Sequence, residues 1–228
     1  MVLMQKHLNN QIIKEDIFMN IIKLVTKILV IIGLTTQLAY AKATSSPIVE
    51  GKDYTIATNP TFEAADKNKV NVKEFFSFTC IHCKINESMV ERAIANNKKI
   101  DFERIHVAWD STSEALAKIN ATIVITKQDK LYLPIFNAVF NNQNITDPKV
   151  LKAILSKNGL TDKQINDFMN TYNSFTVTTK VKEYQTLMNQ YNITGTPIFV
   201  VANKYIVNPA TPERNIEVVN YLVNKVSK

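Results

Sequence analysis

An α/β fold interrupted by a block of helices is what the sequence predicts, and three observations carry that prediction. Strand-like runs lie at residues 69–78 and 99–109 with a helix-length segment between them. Residues 111–190 show helix punctuation and no convincing strand, and strand character returns at 196–207 ahead of a last helix. Strands at both ends of this region and helices in its middle fit one α/β domain with a helical insertion.

Each element has its own reason. "KVNVKEFFSF" (Lys69 to Phe78) is apolar, aromatic and β-branched, and it stops at Thr79, a good helix cap. The helix expected from about Cys80 to Asn97 places Ile81, Ile85, Met89, Ala93 and Ile94 near one face. "KIDFERIHVAW" (Lys99 to Trp109) alternates as a strand, which completes a βαβ unit. In the insertion, Ser113 precedes "EALAKINATIVI", Asp147 and Pro148 open "KVLKAILSK", Gly159 follows it, and Thr161 to Gln164 reads as a capping box. "TPIFVVANKYIV" holds two short strands joined by a turn near Ala202 and Asn203. The last helix has Thr211 as cap, Pro212 at its first position, and Ile216, Val219, Leu222 and Val226 available for packing.

The N-terminus bears on compartment. From Met19 the chain reads "MNIIKLVTKILVIIGLTTQLAYA", with Lys23 and Lys27 ahead of an apolar run and then Ala39-Tyr40-Ala41, a small-x-small pattern. The run is short of the ~20 residues that span a bilayer, so a cleaved signal peptide over 19–41 is expected. Residues 1–18 contain Glu15 and Asp16 and read as an upstream extension, with Met19 the expected start. No cysteine stands at the cleavage point, so no lipid anchor is expected there. The net charge of +7 comes from dispersed lysines without a dense basic cluster or interleaved surface aromatics, a weak pattern for nucleic acid that reads as solvation.

The only two cysteines, Cys80 and Cys83, stand two residues apart just past the first strand. A disulfide across so tight a ring closes almost no loop, so it makes a poor staple. A zinc site wants four ligands, and beyond these cysteines and His82 the region after residue 41 adds only His106 and carboxylates. A c-type haem needs His after the second cysteine, where Lys84 stands. Thiol chemistry is left. The first turn of a helix lowers a thiol pKa, so Cys80 is the expected nucleophile, His82 can add a donor or a positive charge beside it, and Cys83, one turn in, is the expected resolving thiol. Glu74 is an oddity within a strand expected to be buried, as is Arg104 on the next strand, and adjacent strands could pair them.

"EFFSFTCIHCK", then "RIHVAW", a helical stretch and "TGTPIFVVANKYIVNP" resemble the bacterial periplasmic thiol:disulfide oxidoreductases of the DsbA family, with "EGKDYTIATNP" matching further upstream. The resemblance runs from Ile48 to the C-terminus and implies a thioredoxin fold with an inserted all-helical domain. Its expected parts are a thioredoxin-like domain over 48–111 and 191–228 and a helical insertion domain over 112–190. The resemblance also implies site roles. Cys80 and Cys83 are then the redox pair, with Ile81 and His82 between them tuning potential, and Thr196 and Pro197 form a cis-proline loop against the pair. Glu74, Glu87 and Arg104 manage protons around Cys83. Ile81 stands where the family often has proline, Thr196 where valine is frequent, and Arg104 where lysine is usual; an arginine does not give up its proton, so a relay through it is electrostatic.

The expected function is therefore a periplasmic oxidase that passes a disulfide to reduced exported proteins and is reoxidised by a DsbB-like membrane quinone reductase. No cofactor, metal or nucleic acid is implied, and a monomer is expected. The alternatives are a periplasmic reductase or isomerase, or a redox-inactive peptide-binding chaperone.

Overall fold

The structure is a computed structural model, and it describes residues 46–58, 60 and 69–227. The expected signal peptide (19–41) and upstream extension (1–18) lie outside these residues. Among the described residues five strands form one mixed sheet: β1 (Tyr54–Ile56), β2 (Val70–Phe76), β3 (Ile100–His106), β4 (Ile198–Val201) and β5 (Tyr205–Val207), in the order β1-β5-β4-β2-β3. β2 and β3 are parallel and joined through a helix, the expected βαβ unit, while β4 runs antiparallel to β2 and β5 to β4. β2, paired on both edges, is buried along nearly its whole length because helices cover both faces of the sheet.

The helix after β2 is α1 (Ile81–Val90), which passes into a π-turn at Glu91–Ala95. It is shorter than the sequence suggested and turned differently. Its packed face is Cys83, Asn86, Glu87 and Val90, continued by Ile94, whereas Ile81 and Ile85 are 46% and 58% exposed. Polar residues displaced the expected apolar stripe because the sheet beneath offers Glu87 a buried cation.

Five helices lie between β3 and β4 in sequence: α2 (Ser111–Thr126), α3 (Tyr132–Phe140), α4 (Pro148–Lys157), α5 (Asp162–Tyr172) and α6 (Phe175–Gln190). α2 begins two residues before Ser113, because Asp110 is its cap and Ser113 closes a capping box with it. Asp147 and Thr161 cap α4 and α5, and Gly159 takes a left-handed φ of +82° after α4. The hairpin between β4 and β5 turns at Ala202 and Asn203, both at positive φ as a tight hairpin requires. Asn203 is also tied down by Lys73, whose ammonium donates to its side-chain oxygen at 2.6 Å. The last helix, α7 (Pro212–Val226), buries Asn215, Val218, Val219, Leu222 and Val223. Val226, an expected packing residue, is 36% exposed at the final turn.

Among the described residues three apolar clusters hold these layers. One joins β1, β2, β4 and β5 to α7; a second joins the other face to α2 and α6 through Phe75, Ala117 and Tyr184. The third is the core of the helical block, and Phe76, Phe78 and Cys83 are part of it. Phe76 and Phe78 meet edge to face at 5.1 Å, and Phe78 meets Phe136 the same way. The segment that carries the cysteines is thus clamped between the sheet and the helices. Among the described residues no helix is long and apolar enough to cross a membrane.

Candidate active site

Both cysteines are set by the way β2 gives over to α1. Thr79 does not cap the helix as expected, since its hydroxyl lies 2.8 Å from that of Ser77 and its N–H donates to the same oxygen. The cap is Cys80. Its extended backbone turns the sulfur over the first turn, where Sγ accepts from the Cys83 N–H at 3.3 Å. A sulfur in that place faces the unpaired N–H groups and positive end of the helix.

Cys80 is partly exposed and Cys83 is 1% exposed, each a free thiol. A hydrogen bond from the Cys83 thiol does most to pull Cys80 down to about 5; burial opposes it, and the Thr196 side chain and the N–H groups of Cys83 and His82 reinforce it. Cys83 moves the other way, far above the ordinary thiol range, because it is buried and because it donates to Cys80. Near neutral pH the pair therefore keeps one proton, on the inner sulfur, and holds its charge on the outer one.

The Thr196 carbonyl oxygen lies 3.4 Å from Cys80 Sγ, and the peptide bond from Thr196 to Pro197 is cis. That carbonyl favours the protonated sulfur, yet it is outweighed by the donors just named. His82 is exposed and lines a cavity with Thr196 and Pro197, while Ile81 faces solvent.

Behind the pair lies a buried charge cluster. Glu74 and Arg104 are cross-strand partners in the β2–β3 register, with Nε 3.4 Å from Glu74 Oε2, and Arg104 Nη1 donates to Glu87 Oε1 at 2.8 Å. The guanidinium sits 4.0 Å from the Tyr132 ring centroid. Asn120 completes the cage: it donates to the Arg104 carbonyl and accepts from the Tyr132 hydroxyl, both at 2.9 Å. Burial pushes Glu74 up to about 7 against the pull of Arg104, and it raises Glu87 too. Burial would lower Arg104, but the two carboxylates outweigh it and hold the guanidinium above its ordinary value. Glu74 can thus take up or release a proton near neutrality, close enough to Cys83 for its charge to raise that thiol.

A model of the DSBA-like thioredoxin domain family matches residues 71–218. The chain belongs to that family. It is a DsbA-like thiol:disulfide oxidoreductase with a thioredoxin-like fold. The thiol:disulfide interchange protein DsbA of Burkholderia cepacia is 31% identical over 210 residues, which cover 90% of this chain and 97% of that one. Reduced DsbA1 from Neisseria meningitidis superposes with a TM-score of 0.69 at 27% identity, covering 80% of this chain and 96% of that one. DsbA of Pseudomonas aeruginosa has the same TM-score at 22% identity, covering 78% and 94%, and so speaks for the fold.

The sequence-predicted residues fall into two groups in this DsbA-like domain. Cys80, Cys83, His82, Thr196 and Pro197 meet around the start of α1, while Glu74, Glu87 and Arg104 form the buried cluster. Ile81 borders the first group without a polar role. Sequence reasoning missed His106 as a site residue. It is fully buried, and its Nδ1 lies 2.7 Å from the Val107 carbonyl, which can only accept, so Nδ1 carries the proton. Nε2 then accepts from the Phe78 N–H at 2.9 Å and fixes the backbone two residues before Cys80. Burial lowers this histidine to about 4, which keeps it a neutral acceptor. Its inward place on the strand was a signal of burial, but nothing in the sequence pointed to Phe78. Tyr132 and Asn120, which cage Arg104, gave no signal at all.

The cluster makes a stability prediction. Arg104→Met strands two buried carboxylates and is expected to cost about 3–5 kcal/mol at neutral pH. In mildly acid buffer the loss should shrink, because without Arg104 both buried carboxyls are driven to take up protons, and doing so costs less as pH falls toward their unfolded values. Urea unfolding of both proteins at the two pH values checks this.

Proposed function

We propose that this protein is a periplasmic, monomeric dithiol oxidase that introduces disulfide bonds into exported proteins, and that a DsbB-like membrane quinone reductase restores its Cys80–Cys83 disulfide. The observation that carries the reading is the placement of the Cys80 sulfur: capping α1, beside the cis-proline loop, with Cys83 buried behind it. In the first step a substrate thiolate attacks Cys80 Sγ, a mixed disulfide forms, and Cys83 leaves and takes a proton, with Glu74 as its nearby carrier. A second substrate thiolate then attacks the substrate sulfur of that bond. Cys80 leaves as the thiolate, the substrate is oxidised by two electrons, and the enzyme is reduced by two.

The direction rests on linkage. The lowered Cys80 thiol stabilises the reduced fold; this stability is fully present above the unfolded thiol pKa of about 8.5 and is lost as pH falls through about 5. The disulfide form has no such group. At neutral pH the reduced state is therefore favoured, which makes the disulfide a ready oxidant, and a low-pKa sulfur is also the better leaving group.

The signal peptide read at 19–41 supports export to the periplasm. In this reading a thioredoxin-like domain spans 48–111 and 191–228, a helical insertion spans 112–190, and Ile81, His82 and Thr196 tune the pair. Refolding of a reduced multi-disulfide protein, run beside reduction of insulin, tests the direction. Faster refolding with little insulin reduction is expected; the reverse would assign the protein to the reductases.

A further inference from the structure

We propose that the cavity beside Cys80 selects substrates whose reacting cysteine is flanked by a neutral hydrogen-bond donor, a carboxamide or hydroxyl side chain. This rests on the function proposed above and adds a preference among its substrates.

The cavity, of about 260 Å³, is lined by His82, Asn86, Thr196 and Pro197, with Pro212 and Asn215 among the residues of its far wall. Asn86 and Asn215 are 4% and 3% exposed, and the side-chain oxygen of each is buried without a hydrogen-bond partner. Such orphans are rare in folded proteins, and two on one cavity is a pattern. Among the described residues the one hydrogen bond in which either side chain takes part is a long one, 3.4 Å, from Asn215 Nδ2 to the Ala210 carbonyl. The prolines of the wall bring no N–H at all. Two acceptors on this wall are therefore unmet, while its donors are the carboxamide N–H groups of the same asparagines, the His82 ring and the Thr196 hydroxyl.

The complement of the two unmet oxygens is a donor, and charge decides which kind. Among the described residues no Asp, Glu, Lys or Arg lines the cavity, so an ammonium group would be desolvated without a counter-charge. A carboxamide or hydroxyl meets the two oxygens without that cost. The terminal torsion of asparagine is soft, so either oxygen can swing toward an occupant. The volume is below that of a typical small-molecule site and suits one side chain. Position fits as well: Thr196 both lines the cavity and brings its carbonyl to 3.4 Å from Cys80 Sγ. A peptide bound through its cysteine to Cys80 would set a neighbouring residue there, since successive residues advance only ~3.3–3.6 Å.

The test uses oxidised protein and single-cysteine peptides that differ only in the residue beside the cysteine, Gln against the similarly shaped Met, placed on either side in turn. Formation of the mixed disulfide is followed by mass spectrometry of quenched samples. In one of the two placements the Gln peptide is expected to react about tenfold faster, and Asn86→Leu or Asn215→Leu should bring that ratio close to one. A ratio near one for the unaltered protein in both placements, as when bound water already serves the two oxygens, overturns the inference. So does a ratio that survives both substitutions. Dithiothreitol, which brings no side chain to the cavity, separates this from the broader reading: oxidation of dithiothreitol with no peptide preference sinks only the selectivity, whereas failure to oxidise it sinks the proposed function.

Discussion

Cys80→Ala is expected to bring dithiol oxidation down to the uncatalysed rate, a fall of roughly a thousandfold or more. The size of the effect follows from the geometry. Among the described residues Cys80 and Cys83 are the free cysteines, and Cys83 is sealed in the core with Phe76 and Phe78, where no substrate sulfur reaches it. Removing the outer sulfur also removes the acceptor for the Cys83 N–H, so the start of α1 loses its cap. Oxidation of a reduced model peptide, followed by loss of free thiol, measures the first effect, and thermal unfolding measures the second. A variant that kept its structure and still restored disulfide formation in cells would point to peptide binding, not thiol exchange, as the main activity.

Cys83→Ala is expected to do the opposite in kind. The outer sulfur remains acidic enough to exchange with an oxidised substrate, and the inner thiol that would release the adduct is gone. A covalent complex through Cys80 should then accumulate and be visible as a band of higher mass on a non-reducing gel, released by reductant. The substitution also removes the largest donor to the Cys80 sulfur, so the midpoint for Cys80 should rise and adducts should form more slowly at acid pH than at neutral pH. Absence of any adduct at neutral pH would contradict the assigned roles.

Much of this site was legible because its residues obey local rules. The strand over 69–78, the CxxC at its end, Pro197 ahead of β4 and the Thr161 capping box all follow from short-range chemistry, and they stand where the sequence put them. The pairing of Glu74 with Arg104 was also open to inference, since two charged residues on neighbouring buried strands need each other. What failed depended on distant partners. β1 is three residues long and exists through its pairing with β5, Tyr54 opposite Val207, which no local pattern announces. Thr79 looked like the cap, but Ser77 takes its hydroxyl and leaves the place to Cys80. The stripe of α1 was misread for the same reason: Glu87 is drawn inward by Arg104 on another strand, and Ile81 and Ile85 are left on the surface around the cysteines. The orphan oxygens of Asn86 and Asn215 lie on two helices far apart in sequence and could be seen together only in the fold.

The central claim is that one sulfur stands ionised at the mouth of this site while its neighbour keeps its proton. Titration of the reduced protein, followed through the ultraviolet absorbance of the thiolate, tests it most directly. One thiolate should appear with a midpoint of about 5, and the second should not appear while the protein stays folded. A first midpoint near the ordinary thiol value of about 8.5, or two thiolates forming together, would contradict the account.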